Sequence, residues 1–137
     1  MISIEEDHER AGEVAAAIQA AVKATIEGES VEVEHLAVII TGHDTVLALN
    51  RQFLEHDYHT DVLAFDLRDD TNTPLDGEVY VDLDTAIEYC DAEEVDLLEE
   101  SARYAIHGAL HLMGYSDKDE TGKAAMRNKE DAYLAVI

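Results

Sequence analysis

The sequence is most unusual for what it lacks. Of its 137 residues, one is cysteine and one is proline, and tryptophan is absent. Cys90 has no second cysteine to pair with, so an intrachain disulfide is excluded and nothing indicates an oxidising compartment. No run approaches the roughly 18–20 apolar residues of a membrane span. The N-terminus, MISIEEDHER, lacks the basic and apolar regions of a signal peptide, so we expect a cytoplasmic protein.

Positive charge is also scarce. The chain has 9 Lys and Arg against 32 Asp and Glu, which gives a formal net charge of −23. Such a chain should repel polyanions at low salt. A basic or metal-ion partner would explain the charge, and so would adaptation to a salt-rich cytoplasm, where repulsion is screened over about 3 Å at 1 M. The acids are scattered along every element, which favours the salt explanation, so a nucleic-acid substrate is not excluded.

The chain has enough apolar residues to form the core of one domain. Hydrophobic residues make up 47% of the chain, and its length fits a single domain spanning residues 1–137. Helices and strands alternate early and helices dominate late, which predicts an α+β fold with one small sheet covered by helices.

Periodicity places the individual elements. It predicts strands at Ile2–Ile4, Val31–Thr41, Asp61–Leu67 and Gly77–Leu83. It predicts helices at Glu9–Glu27, from His43 to Phe53, from Asp84 to Cys90, at Ala92–Met113 and at Asp119–Val136. Gly28 is expected to end the first helix, and Asp84 to cap the third.

The stretch from Ser101 to Lys118 carries the strongest chemical signal. His107 and His111 are four residues apart in a predicted helix, so their Cβ atoms lie about 6 Å apart on one face and both rings can reach one ion. Gly114 can end the helix in the left-handed conformation, after which Asp117 can turn toward the same point. Three protein ligands with a fourth position left to water are typical of catalytic zinc.

A simpler explanation is that both histidines are hydrogen-bonded core residues, because the surrounding helix is almost entirely apolar. The tract also differs from the H-E-x-x-H motif of metalloproteases, since Gly108 stands where those enzymes have a glutamate. A glycine inside a helix costs about 1 kcal/mol relative to alanine, and close packing of another backbone would explain it.

Other candidate groups have simpler structural explanations. His56 and His59 could form a second metal site with Asp57 or Asp61, but a solvated acidic loop is the favoured explanation, because loops are polar by default. Glu78 and Asp82 share one face of their strand, and that face can be solvent. Three further histidines are isolated in sequence and predicted to be incidental: His8, His35 and His43.

Several tracts together resemble the YbeY endoribonuclease family. Their order and spacing agree with that family's motifs from about Val31 to the C-terminus. The tracts are HGALHLMGY at 107–115 with a ligand position at Asp117, LNR at 49–51 followed by TDVLAF at 60–65, GEVYV at 77–81, and MRNKE at 126–130.

The resemblance implies a zinc-dependent, single-strand-specific endoribonuclease with a mixed four-stranded sheet. It further implies one Zn²⁺ ion, a role in maturation of the 3′ end of 16S rRNA and in ribosome quality control, and the small ribosomal subunit as a partner. No general base is identified; Glu78 and Asp61 are the candidates. Asn50, Arg51 and Thr60 are the candidates for binding substrate. The oligomeric state stays open.

Two positions depart from the family pattern. Asp117 stands where the family usually has histidine; a carboxylate should make the metal a weaker Lewis acid and would also suit Mn²⁺. Asp119 is the alternative ligand if Asp117 points away. Leu54 stands where the family often has an arginine that could bind phosphate. Three arginines are possible substitutes: Arg51, Arg68 and Arg103.

Two other functions remain open. The first is a metal hydrolase of another substrate, such as a peptide, which the glycine at position 108 argues against. The second is a non-catalytic, ribosome-associated binding protein in which a structural metal holds the last helix in place.

Overall fold

A four-stranded mixed sheet organises the computed structural model, which describes residues 1–54 and 61–137. The strands are β1 (Ile2–Glu6), β2 (Val33–Thr41), β3 (Val62–Asp66) and β4 (Leu75–Asp82). Their order across the sheet is β1-β2-β4-β3; β1, β2 and β4 are parallel, and β3 runs antiparallel to β4. The predicted α+β class and mixed sheet are confirmed.

Five helices surround this sheet within the described ranges. They are α1 (Ala15–Glu29), α2 (His43–Leu54), α3 (Leu83–Glu93), α4 (Leu97–Leu112) and α5 (Glu120–Leu134). A single 3-10 turn at Ala11–Glu13 precedes α1. No helix in either described stretch is long and apolar enough to cross a membrane.

The main core lies between one face of the sheet and helices α1 and α4. Alternate residues of β2 and β4 point into it, as the two-residue period of a strand requires. These side chains are fully buried: Ile18 and Val22 from α1, Leu36, Val38 and Ile40 from β2, and Val79 and Val81 from β4. A second cluster joins α1, α4 and α5 around Ile106, Leu110 and Met126.

Helix α4 is the most enclosed helix of the described chain. Between Ser101 and Leu112 every residue is buried except His107 and His111. Gly108 is where α4 lies against the sheet, since a Cβ there would be 2.5 Å from Val79 Cγ1 and 3.1 Å from Val62 Cγ2. The close neighbours of this glycine are therefore side chains of β4 and β3, and the expectation of a packed backbone is wrong.

The predicted long helix Ala92–Met113 is two helices. Helix α3 runs to Glu93 and ends at Glu94, which has a left-handed φ of 55°. Asp96 then caps α4, because its carboxylate accepts a hydrogen bond from the Leu98 backbone N–H at 3.3 Å. Apolar periodicity continues across the break, so it did not reveal these two local signals.

The start of α3 also differs from the prediction. Asp82, and not Asp84, is the capping residue, and it accepts a hydrogen bond from the Thr85 N–H at 2.9 Å. Asp82 is fully buried, so its predicted place on a solvent face is wrong. A buried carboxylate is tolerated here because the helix N-terminus and His43, whose Nδ1 lies 3.0 Å away, supply donors.

Gly28 does not stop α1, which continues to Glu29 and ends at Ser30 in the left-handed conformation. A Cβ at Gly28 would lie 2.2 Å from Tyr133 Cε1. This glycine therefore admits the aromatic ring of α5, and close packing explains a residue that the sequence pattern assigned to a helix end.

Candidate metal centre

His107 and His111 occupy the one stripe of α4 that the core leaves partly open. Their side chains are 25% and 33% exposed, whereas the rest of this half of the helix is buried. Their ring centroids are 4.6 Å apart and nearly perpendicular. The helical spacing of four residues thus brings both imidazoles to one point at the surface, as predicted.

The end of α4 turns the chain back toward this pair. Gly114 has φ of +100°, in the region that glycine occupies without strain. The Gly114 N–H donates to the His111 carbonyl and the Tyr115 N–H donates to the Leu110 carbonyl, each at 3.1 Å, which is a Schellman motif. The reversal brings Asp117 over the two rings.

The three side chains form a compact triangle. The His107 and His111 Nε2 atoms are 3.0 Å apart, His107 Nε2 lies 3.3 Å from Asp117 Oδ2, and His111 Nε2 lies 3.6 Å from Asp117 Oδ1. Tetrahedral ligands about 2.0–2.1 Å from a zinc ion would be roughly 3.3–3.4 Å from one another. The residues present therefore fit a metal ion, and this is the group of potential ligands found among the described residues.

Glu130 supports this triangle from α5. Its carboxylate accepts a hydrogen bond from His107 Nδ1 at 2.7 Å and another from Arg103 Nη1 at 3.1 Å, and it is only 4% exposed. Because a carboxylate can only accept, His107 Nδ1 carries a proton, so the neutral ring has its lone pair on Nε2, which faces the triangle. Sequence reasoning assigned no role to Glu130. The available signal was the MRNKE tract at 126–130, one of the tracts that resemble the family, which ends at this glutamate.

The two histidines have opposite pKa shifts. Burial would lower the pKa of His107, but the hydrogen bond and negative charge of Glu130, with Asp117 behind it, raise it overall. Burial also lowers the pKa of His111, and the neighbouring charge of His107 lowers it further. One ring of the pair is thus biased toward the neutral form, which is the form that binds metal.

A cavity of about 290 Å³ adjoins the triangle. Asp61, one of the two candidate bases, lines it together with Glu100 from α4. Lys123 and Arg127 of α5 line it as well. Burial raises the pKa of Glu100. The sequence did not single out Glu100, Lys123 or Arg127.

Glu78, the other candidate base, is not brought to this cavity. Val79 and Gly77 of β4 face α4, where they meet Gly108 and Leu112. Because strand residues alternate, Glu78 points to the opposite face of the sheet, where the Tyr80 hydroxyl donates to it at 3.3 Å.

The substrate-binding candidates lie elsewhere or outside the described residues. Asn50 is buried in α2 and Arg51 is exposed on the same helix, and the described lining of the cavity includes neither. Thr60 lies outside the described residues, as do His56, Asp57 and His59 of the suggested second metal site. The roles suggested for these four residues stay predictions.

The alternative ligand, Asp119, has a structural role. It caps α5 by accepting a hydrogen bond from the Gly122 N–H at 2.6 Å. Asp117 is the acid that lies against the two histidines, and Asp119 is engaged at the start of α5.

Arg103 and Arg68, two of the arginines suggested as substitutes for a cation at position 54, have described partners in the fold. Arg103 donates to Glu130 and to Asp131, and Arg68 donates to Asp66 and to the Leu112 carbonyl at the end of α4. Both therefore hold elements together.

The isolated histidines have local partners. His8 Nε2 lies 2.7 Å from Asp84 Oδ1, and His35 Nε2 lies 3.1 Å from the Ser3 hydroxyl. His43 contacts buried Asp82, as described above. Each of the three histidines therefore has a hydrogen-bond partner from another part of the fold.

Together the fold and the site define an α+β protein with a two-histidine, one-carboxylate candidate metal centre beside a cavity. The family model described as Endoribonuclease YbeY matches residues 2–137. The chain belongs to the YbeY endoribonuclease family. The match begins at residue 2, so it is longer than the likeness from about Val31 that the motifs indicated.

Individual relatives agree with this assignment. The chain is 41% identical to Endoribonuclease YbeY of Salinibacter ruber, over 99% of this chain and 91% of the relative. It is 39% identical to Endoribonuclease YbeY of Chlorobium limicola, over 80% and 74%. The solution structure of a Thermotoga maritima protein superimposes with a TM-score of 0.69 at 27% identity, covering 98% of this chain and 87% of that one.

Proposed function

We propose that this protein is a zinc-dependent endoribonuclease that cuts single-stranded RNA in the cytoplasm. We place it in maturation of the 3′ end of 16S rRNA and in ribosome quality control, with the small ribosomal subunit as its partner. The observation that carries the proposal is the triangle of His107, His111 and Asp117 beside an open cavity, in a chain of an endoribonuclease family.

Zinc is the metal that this donor set favours. Two imidazole nitrogens and one carboxylate are a common catalytic zinc set, and the distances of 3.0, 3.3 and 3.6 Å among the three side chains suit a tetrahedral ion with one position for water. The carboxylate also suits a harder ion, so Mn²⁺ is the second candidate. When bound, zinc supplies a Lewis acid and lowers the pKa of its water to about 7.

The protein side chains supply orientation and proton transfer. Glu130 fixes the His107 tautomer, so that Nε2 stays aimed at the metal position. We assign the general-base role to Asp61, because it lines the cavity beside His107 and Glu78 lies on the far face of the sheet. Asp61 would accept the proton of the attacking oxygen as the phosphodiester is cleaved.

The first experiment measures metal content and RNA cleavage together. Purified wild type should bind one zinc per chain and cut a single-stranded oligoribonucleotide, while sparing the matching duplex and casein. His107→Ala and His111→Ala should lose zinc and activity. His35→Ala is the matched control, since its ring contacts Ser3 away from the site, and it should keep both.

Three outcomes would overturn the proposal. Unchanged zinc stoichiometry in both site variants would remove the metal centre. Cleavage of casein in preference to RNA would indicate a hydrolase of another class, and RNA binding without cleavage at any salt concentration would indicate a binding protein.

A further inference from the structure

Positive charge is concentrated at the cavity beside the candidate metal centre. Three of the chain's 9 lysines and arginines line this one cavity, although the molecule as a whole carries −23. They are Arg103 on α4 and Lys123 and Arg127 on α5. So uneven a distribution points to an anionic ligand at this position.

Lys123 and Arg127 are the two of these cations that remain accessible. Arg103 is only 8% exposed and donates to Glu130 and Asp131. The side chains of Lys123 and Arg127 are 59% and 63% exposed.

The ion pairs that Lys123 and Arg127 make with acids have long N–O distances and are exposed to solvent. Lys123 Nζ lies 3.6 Å from Glu120, which is 94% exposed, and Arg127 Nε lies 4.0 Å from Asp131, which Arg103 already holds at 2.8 Å. Exposed pairs of this kind contribute little, about 0–1 kcal/mol, so an incoming anion can replace them.

The two cations also have a useful spacing. They are four residues apart on α5, so they project from one face of the helix, with Cβ atoms about 5–6 Å apart. The same cavity contains His107 and Asp117. An anionic chain that follows this helix face would therefore pass directly over the candidate metal position.

The local charge balance supports approach of an anion. Four carboxylates and three cations make up the charged part of the described lining, leaving about one net negative charge with the histidine neutral. A divalent metal ion would make the balance positive. With the metal ion bound, the repulsion that the whole molecule exerts on an anion would be cancelled locally at this cavity.

We propose that Lys123 and Arg127 bind consecutive phosphates of the RNA substrate and align its backbone across the metal centre. This inference rests on the proposed function for the nature of the substrate. The two side chains would supply a phosphate contact that the uncharged Leu54 cannot make. They are binding residues and take no part in the proton transfers.

The test uses the zinc-loaded protein and the variants Lys123→Gln and Arg127→Gln. Initial rates on a single-stranded oligoribonucleotide give kcat and KM between about 0.1 and 1 M KCl. Each variant should raise KM at low salt and leave kcat unchanged. Each should also reduce the slope of log KM against log salt by about 0.7, so its effect at low salt exceeds that at high salt about fivefold.

Lys23→Gln is the matched control. It removes one exposed lysine from α1, away from the described lining of the cavity, and so changes net charge equally. Its salt slope should equal that of the wild type. If Lys123→Gln and Arg127→Gln change KM and its slope no more than this control does, the phosphate contacts do not exist and the inference fails.

A binding measurement separates this inference from the proposed function. Fluorescence anisotropy with a labelled 2′-O-methyl oligonucleotide, which keeps the phosphates, gives Kd, and gel electrophoresis of the same mixture checks that the oligonucleotide stays intact. If wild type binds it and the Lys123→Gln/Arg127→Gln double variant binds with a smaller salt slope, the phosphate contacts stand even when no cleavage is found. Equal slopes for both proteins would overturn them, whatever the activity.

Discussion

At the scale of single residues, the candidate metal centre depends on how Glu130 holds His107. The hydrogen bond to Nδ1 fixes both the tautomer and the ring orientation. The same carboxylate accepts from Arg103, so a buried ion pair between α4 and α5 maintains the alignment. Helix α4 and the turn after it therefore supply the candidate ligands, and α5 supplies the carboxylate that orients His107.

Glu130→Gln should weaken zinc binding by about 10–100-fold, because the supporting group keeps its size and loses its charge. A chromophoric chelator that competes for zinc measures the affinity directly. Asp131→Asn is the control: Asp131 is also bound to Arg103 but makes no contact of this kind with His107. An equal loss in both variants would show that the effect passes through Arg103, contrary to this expectation.

At the scale of elements, Gly108 sets the distance between α4 and the sheet. Alanine there would gain about 1 kcal/mol of helix propensity. Its Cβ would also lie 2.5 Å from Val79 Cγ1, and overpacking a stiff β-branched neighbour costs about 1–3 kcal/mol. Overpacking should win, so we expect Gly108→Ala to lower the free energy of unfolding by about 1 kcal/mol.

Urea unfolding followed by circular dichroism measures this change. Gly12→Ala provides the comparison, because its Cβ would meet only Glu6 Oε1 at 3.5 Å, an ordinary contact. A Gly108→Ala variant as stable as wild type would mean that Val79 moves aside freely and that α4 is not fixed by this contact.

A second element-scale link joins α1 to α5 through Glu29. Its carboxylate accepts hydrogen bonds from the Tyr115 and Tyr133 hydroxyls and from Lys129 Nζ. Burial alone would raise the pKa of Glu29, but these three donors bring it below its ordinary value of 4.5. The folded state therefore binds this proton less readily than the unfolded chain does.

The pH dependence follows from that direction. A carboxyl with a lowered folded-state pKa contributes its full stability above about pH 4.5 and loses it as the pH falls through the folded-state value. Glu29→Gln should therefore cost about 1–3 kcal/mol at pH 7 and progressively less in acid. Urea unfolding at a series of pH values measures the difference. Exposed Glu27→Gln on the same helix is the control, and a Glu29→Gln deficit that persists unchanged in acid would contradict the assignment.

At the scale of the whole molecule, the formal charge of −23 is the dominant feature. Self-repulsion of a surface so acidic destabilises the compact state at low ionic strength. Salt at 1 M screens charges beyond about 3 Å, so the folded state should gain from it.

We therefore expect the Tm at pH 7 to rise substantially between about 0.1 and 1 M KCl. Potassium chloride is preferable to a sulfate, because sulfate also strengthens apolar burial. The rise should largely disappear near the isoelectric point of about 4.3, where net charge vanishes. Differential scanning calorimetry tests both conditions. A Tm that is insensitive to KCl at pH 7 would show that the charges are too well separated to repel one another.

Much of the fold could be predicted because the period of apolar residues reflects burial directly. Strands β2 and β4 and helix α5 lie within a few residues of where this period placed them. Helices α1 and α4 overlap their predicted ranges but begin later, at Ala15 instead of Glu9 and at Leu97 instead of Ala92. The misassigned boundaries have a common cause. Asp96 and Glu94 separate α3 from α4 through capping and a left-handed residue, which leave no mark on the apolar period.

By itself, the sequence determined the local part of the site: two histidines four residues apart on a helix, a glycine that ends it, and an acid within reach. These features follow from backbone geometry over short distances in the chain. Only the tertiary structure decided that Glu130 orients His107, that Asp61 lies near the cavity and Glu78 does not, and that Lys123 and Arg127 gather there. Those relations join residues far apart in sequence, and they arise from the packing of α4 and α5, which no local pattern encodes.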